Sequence, residues 1–141
     1  MIRVVLDANV YVSAAIRPEG PPGRIVGLFL RGEIDVVLSP LIVTEVLEAL
    51  ASPAVRKLVR GPIDPESWFE DIVFLSDMVA GDVSVSGVCD DPDDDKYIAA
   101  AIEGRARYVV TGDGRLLAVG DHEGVRIVAP RPFLDKIERK A

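Results

Sequence analysis

The chain is poor in the side chains most used to hold zinc, with one cysteine, Cys89, and one histidine, His122, in 141 residues. A single cysteine excludes an internal disulfide and any multi-cysteine zinc site, and it fits a reducing compartment. Cys89 reads as a buried bystander thiol, and His122, in the polar turn at 120–124 with no partner histidine at ligand spacing, reads as solvated. Basic residues are also scarce. Sixteen Lys and Arg face 23 Asp and Glu, giving a net charge of −7 and a pI near 4.7. That balance, taken alone, argues against holding nucleic acid by simple attraction to a basic surface, and a nucleic-acid enzyme of this charge needs metal ions and local basic patches. Aromatic residues make up only 6% of the chain. Trp68 and Phe69 lack interleaved cations, so they read as core or interface and not as a base-stacking platform. No apolar run approaches the ~20 residues of a membrane span, and Met1 leads into IRVVLD with no export-type segment, so a cytoplasmic protein without membrane contact is expected.

What is present is ample apolar sequence, 49% of residues, in a pattern that alternates strand and helix signals. Residues 2–6 (IRVVL), 35–38 (DVVL), 107–111 (RYVVT) and 125–128 read as buried strands, and 82–86 as a short one. Between them, residues 10–16 can be helical. Residues 17–23 (RPEGPPG) form a turn-rich loop, followed by an apolar helix ending near Gly32. Ser39 and Pro40 supply the start of a helix to about Ala51, whose buried face carries Leu41, Ile42, Val46, Leu47 and Leu50, with Glu45 and Glu48 on neighbouring positions. A short basic helix carries Arg56, Lys57 and Arg60. Residues 65–80 (PESWFEDIVFLSDMVA) form an amphipathic helix, and a last helix runs from about Pro132 to Arg139. There is no repeat, low-complexity tract or dividing linker, so residues 1–141 are expected to form a single domain. The alternation predicts an α/β fold, a three-layer α/β/α sandwich around a central, mainly parallel sheet of four to five strands.

The most unusual stretch is 89–102 (CDDPDDDKYIAAAI), where Asp90, Asp91, Asp93, Asp94 and Asp95 crowd around Pro92 before a helical pattern begins. Helix capping, with Asp93 as N-cap after Pro92, accounts for one or two of these aspartates. The remainder repel one another unless a cation or protonation relieves them. Asp7 ends the first strand and Asp113 the fourth. In a parallel sheet these ends share one edge, where helix starts also lie, so Asp95 projects into the same region and Glu45 reaches it from the second turn of its helix. Clustered carboxylate oxygens of this kind suit Mg²⁺ or Mn²⁺. Capping of the next helix is an equally weighted reading of Asp7.

VLDANVYVSA, TEVLEAL, DPDDDKYIAAAI and YVVTGDGRLL resemble, in order and spacing, the four acidic motifs of PIN-domain nucleases, most closely the small prokaryotic PIN proteins that act as toxin components of toxin–antitoxin pairs. The resemblance covers nearly the whole chain. It implies a Mg²⁺- or Mn²⁺-dependent ribonuclease in which Asp7, Glu45, Asp95 and Asp113 hold the metal and activate a water against an RNA phosphodiester bond. Asp94 is the fallback for Asp95, while Asn9 and Thr111 match polar positions that help arrange the first and fourth motifs. Asp90, Asp91 and Asp93 read as caps, turn residues or outlying charge. Lys96 and Arg115, next to the acids in sequence, are the first candidates for phosphate contacts, with surface ion pairing as the competing reading of each. A small antitoxin protein and a homodimer are the partners this implies beyond RNA. Two other functions compete: a catalytically silent PIN-like scaffold binding RNA or protein, and a Mg²⁺-dependent phosphatase, which would need a second aspartate where Asn9 stands. A calcium loop beginning at Asp91 fails at its obligatory glycine, occupied by Lys96.

Overall fold

The computed structural model describes residues 1–62 and 64–140. A six-stranded sheet, in the order β3-β2-β1-β4-β6-β5, runs through the centre, with helices flanking it. Its strands are β1 (Arg3–Leu6), β2 (Asp35–Leu38), β3 (Asp77–Met78), β4 (Tyr108–Val110), β5 (Asp121–His122) and β6 (Val125–Val128). All neighbours pair in parallel except β5 with β6. The α/β sandwich expected from the sequence is therefore present, with one strand more than the upper expectation because β3 and β5 are two-residue strands with no apolar run of their own.

The helices are α1 (Ala8–Ile16), α2 (Pro21–Leu30), α3 (Pro40–Ala51), α4 (Pro53–Leu58), α5 (Pro65–Leu75), α6 (Asp95–Glu103), α7 (Gly114–Leu117) and α8 (Pro130–Lys140). Proline opens α2, α3, α4 and α5 in their first turn, where its missing N–H would be unpaired in any case. The same residues that made 17–23 look like a continuous loop thus start a helix at Pro21. The last helix likewise begins at Pro130 and not near Pro132.

Three further sequence expectations need correction. Helix α5 stops at Leu75, because the Ser76 N–H and hydroxyl cap its last carbonyls and the chain turns into β3. Residues 82–86 form no strand. Their place at the sheet edge is taken by Asp77–Met78, and the Gly81 and Val83 N–H groups are bound instead by the Glu103 carboxylate, at 3.2 and 3.1 Å. Leu41 is exposed, since it lies on the outer side of α3 from Ile42, Val46 and Leu50.

The core explains why the sheet edge is well defined. Val4, Val5 and Leu6 are wholly buried, as are Val36 to Leu38 and Val109 to Val110 to within 1% exposure. Burying each such side chain stabilises the fold by about 1.5–3 kcal/mol before entropy is counted. Helix α6, whose Ile98, Ala100 and Ala101 are buried, lies against β1, β2, β4 and β6. The register Leu6 beside Val110 then brings the chain after β1 next to the chain after β4, where the Asp7 N–H donates to the Val110 carbonyl at 3.0 Å.

Candidate functional site

Asp7 sits one residue beyond β1 in extended conformation and caps α1, its Oδ1 accepting the Asn9 N–H at 3.2 Å. Asp7 is thus a cap, and its carboxylate lies at the carboxyl edge of the sheet. The second oxygen, Oδ2, accepts the Thr111 hydroxyl at 2.6 Å. That hydroxyl in turn accepts the Asp113 N–H at 3.0 Å, so the fully buried Thr111 ties the end of β1 to the end of β4. Asp113 caps α7 by accepting the Arg115 N–H at 2.9 Å. Asn9 supplies its backbone N–H, and its side chain is exposed.

The acidic turn is built differently from the sequence expectation. Asp91, not Asp93, is the cap: its Oδ1 accepts the Asp93 N–H at 3.0 Å, with Pro92 opening a 3₁₀ turn over Pro92–Asp94. Pro92 must be the first residue of that turn, so the cap has to precede it. Asp94 is half-buried, and its carboxyl is pushed up to about 6, first by burial and then by the charges of Asp91, Asp7 and Asp113, with Lys96 opposing. Asp94 therefore shares one electrostatic field with the acids at the ends of β1 and β4. Asp95 is 4% exposed and its Oδ1 accepts the Cys89 N–H at 2.8 Å. Burial, contact with Asp95 and the nearby carboxylates push the Cys89 thiol up to about 12.

Glu45 projects from α3 and meets two donors, the Lys96 ammonium at 2.9 Å and the Tyr97 hydroxyl. Tyr97 accepts the Ala8 N–H at 3.2 Å in the same step, which links Glu45 to the start of α1. Burial, the Asp7 charge and the bond to Glu45 push the Tyr97 hydroxyl well above the ordinary phenol range. The Lys96 side chain is only 15% exposed and also donates to the Asp93 carbonyl at 2.9 Å. Arg115 lies 3.9 Å from Asp91 and is largely exposed. Both candidate phosphate contacts thus stand in ion pairs with acids of the site, the pairing weighed against them at the sequence level. His122 lies in β5, 3.3 Å from Glu123, and not in an open turn.

The structure brings Asp7, Asp113 and Asp94 to one edge, joins Glu45 to them through Tyr97 and Lys96, and turns Asp95 back onto Cys89. In the sequence Tyr97 is only one residue of the helical pattern that follows the aspartates. Its signal was a hydroxyl in a segment of alanine and isoleucine, which needs a partner once buried. The donor set is entirely hard oxygen, and the charges of Asp91, Asp7 and Asp113 act on Asp94, which fits a divalent cation in chemistry and sign. In the arrangement shown, no three Asp, Glu, His or Cys side chains among the described residues are grouped as a ready metal cage. The carboxylates of Asp7, Asp113, Asp95 and Glu45 are instead engaged by protein donors.

A mostly parallel sheet with oxygen-only acids gathered at its carboxyl edge defines an α/β protein with an acidic site. The chain belongs to the PIN domain family, whose sequence pattern matches residues 3–115, a range that includes Asp7, Glu45, Asp95 and Asp113. PIN domains are generally nucleases and typically bind divalent metals. An uncharacterised protein of Methanocaldococcus jannaschii, MJ1680, is 30% identical over 149 residues, covering 98% of this chain and 93% of its own length. Among solved structures, VapBC2 from Rickettsia felis, bound to a DNA fragment from its promoter, shares the fold with a TM-score of 0.58. It is 12% identical, covering 91% of this chain and 98% of that one.

Proposed function

We propose that this protein is a divalent-metal-dependent ribonuclease that hydrolyses RNA to 5′-phosphate and 3′-hydroxyl ends. The observation that carries this reading is the tie of Asp7 to Asp113 through the Thr111 hydroxyl at the carboxyl edge of the sheet, within a chain of the PIN family. Mg²⁺ or Mn²⁺ bound there would acidify a water and offset the charge developing on phosphorus. Asp7 and Asp113, with an aspartate of the 90–95 turn, are the proposed holders of the ion. Thr111 fixes the first two relative to each other through its paired hydrogen bonds. Glu45 stands at the rim, where its carboxylate orients Lys96 and Tyr97. Lys96 is the better placed of the two basic candidates to meet a phosphate, because its ammonium is held among the acids and not extended into solvent.

The resemblance to toxin-type PIN proteins and the fold shared with VapBC2 support a place as the toxin half of a two-protein pair in the cytoplasm. Its partner would be a small antitoxin whose cationic side chain answers the acidic edge. Incubation of the purified protein with a mixed RNA pool tests the enzyme reading. Cleavage is expected with Mg²⁺ or Mn²⁺, to vanish with EDTA, and to be lost in Asp7→Asn, which remains folded by circular dichroism. Cleavage unaffected by chelation would end the metal reading, and none under any divalent ion would leave a silent scaffold. Hydrolysis of small phosphate esters without RNA cleavage would make it a phosphatase.

A further inference from the structure

We propose that Asp95 is a positioning residue, a latch that fastens the acidic turn so that Asp94 faces Asp7 and Asp113. This rests on the site reading above and assigns the work within it. Asp95 is among the few buried charged groups of the chain, and its Oδ1 takes the Cys89 N–H at 2.8 Å. The bond joins residues on either side of the turn and closes it into a loop. A second tie comes from Lys96, whose ammonium donates to the Asp93 carbonyl at 2.9 Å while pairing with Glu45. Inside the loop, Asp91 caps the Asp93 N–H at 3.0 Å, and the Asp94 N–H returns to the Asp91 carbonyl at 3.0 Å. The Asp94 carboxylate takes part in none of these bonds. It is a half-buried acid of the turn, free of the bonds that fasten its neighbours.

The two aspartates therefore need different things from their side chains. Asp95 needs one acceptor oxygen at the right place, since an N–H buried without a partner costs free energy and the turn would open to recover it. Asp94 needs its charge. Asparagine keeps an acceptor and removes the charge, so it separates the two roles, whereas alanine removes both. Cys89, the chain's one cysteine and the backbone donor to the latch, reports directly on whether the turn is closed.

The experiment compares Asp94→Asn, Asp95→Asn and Asp95→Ala in the full chain by two readouts, metal-dependent RNA cleavage and the rate of Cys89 modification by a maleimide in EDTA. Asp95→Ala is expected to lose about 10- to 100-fold in cleavage, the range for removing a partner that orients a metal ligand, and to expose Cys89 to faster labelling. Asp95→Asn is expected to restore most of the cleavage and the slow labelling of the wild type. Asp94→Asn is expected to lose cleavage while labelling stays slow. Asp95→Asn as inactive as Asp7→Asn, beside an active Asp94→Asn, would overturn the proposal, as would wild-type labelling in Asp95→Ala. If the wild type cleaves no RNA, the nuclease reading fails by itself, and the labelling rates of the two Asp95 variants still decide the latch.

Discussion

Thr111 and Asp94 show two ways in which a single residue shapes this site. Thr111 has no exposure, yet its hydroxyl both donates to Asp7 and accepts from Asp113, so the spacing of two acids depends on a neutral group. Asp94 carries the electrostatic cost of the arrangement, its carboxyl raised from 3.8 to about 6 by burial and neighbouring charge. The folded protein then holds that proton more tightly than the unfolded chain. The contribution of Asp94 is most favourable below pH 3.8 and is lost as pH rises through about 6. In metal-free buffer, Asp94→Asn should match the wild type in stability near pH 3.8 and exceed it at pH 7. Solvent screening of this half-open group keeps the gain below about 1 kcal/mol. Melting curves at both pH values check this, and a gain of the same size at both would exclude Asp94 as its source. At this scale the sequence exposed the strand-end acids, since a carboxylate after a β-branched run is a local feature. It hid which member of DPDDD faces the others, because that depends on Asp95 turning toward Cys89, a bond set by the packed path of the chain.

Helix α6 is the element that delivers the acidic turn, and its far end is held by close approach of backbone to sheet. Gly104 caps it, and a Cβ there would lie 2.5 and 2.9 Å from the two Val37 methyls in β2 and 3.1 Å from the Ala100 carbonyl. Its φ of −87° is open to any residue, so the requirement is for space and not for backbone freedom. Gly104→Ala should destabilise the fold by about 1–3 kcal/mol, the usual cost of overpacking a filled core. Urea denaturation measures it, and a change under a few tenths of a kcal/mol would show that Val37 yields freely. Elements with a strong apolar period were legible: α3 matches the expected start at Pro40 and end at Ala51, and its Ser39 cap accepts the Ile42 N–H at 3.4 Å. Those made by pairing alone were not. β3 is two exposed residues, Asp77 and Met78, that become a strand only because β2 lies beside them, and Arg3 draws in the Asp77 carboxylate. Residues 82–86 had the alternation but pair with no strand, and the Val83 N–H is taken by the Glu103 carboxylate instead.

Over the whole molecule the central difficulty is charge. The chain carries −7, and several of its cations are already paired: Arg3 with Asp77, Arg24 with Glu138, Arg31 with Glu33, Arg56 with Glu66 and Lys96 with Glu45. Each surface pair adds little stability, but each also reduces the positive field available to a polyanion. A protein that binds RNA through a basic surface loses affinity as any salt is added, because its binding is driven by release of counterions. Here divalent ions should act in the opposite sense, since an ion held by Asp7 and its neighbours converts the most negative edge into one that a phosphate can approach. Fluorescence anisotropy with a labelled single-stranded RNA, using Ca²⁺ in place of Mg²⁺ to limit hydrolysis, tests this against NaCl of equal ionic strength. Millimolar divalent ion should tighten binding by about ten-fold over the NaCl control, the order expected when one site charge is offset at the contact. In Asp7→Asn the difference should disappear. Equal weakening by both salts, in both proteins, would mean that RNA meets the molecule somewhere other than the acidic edge.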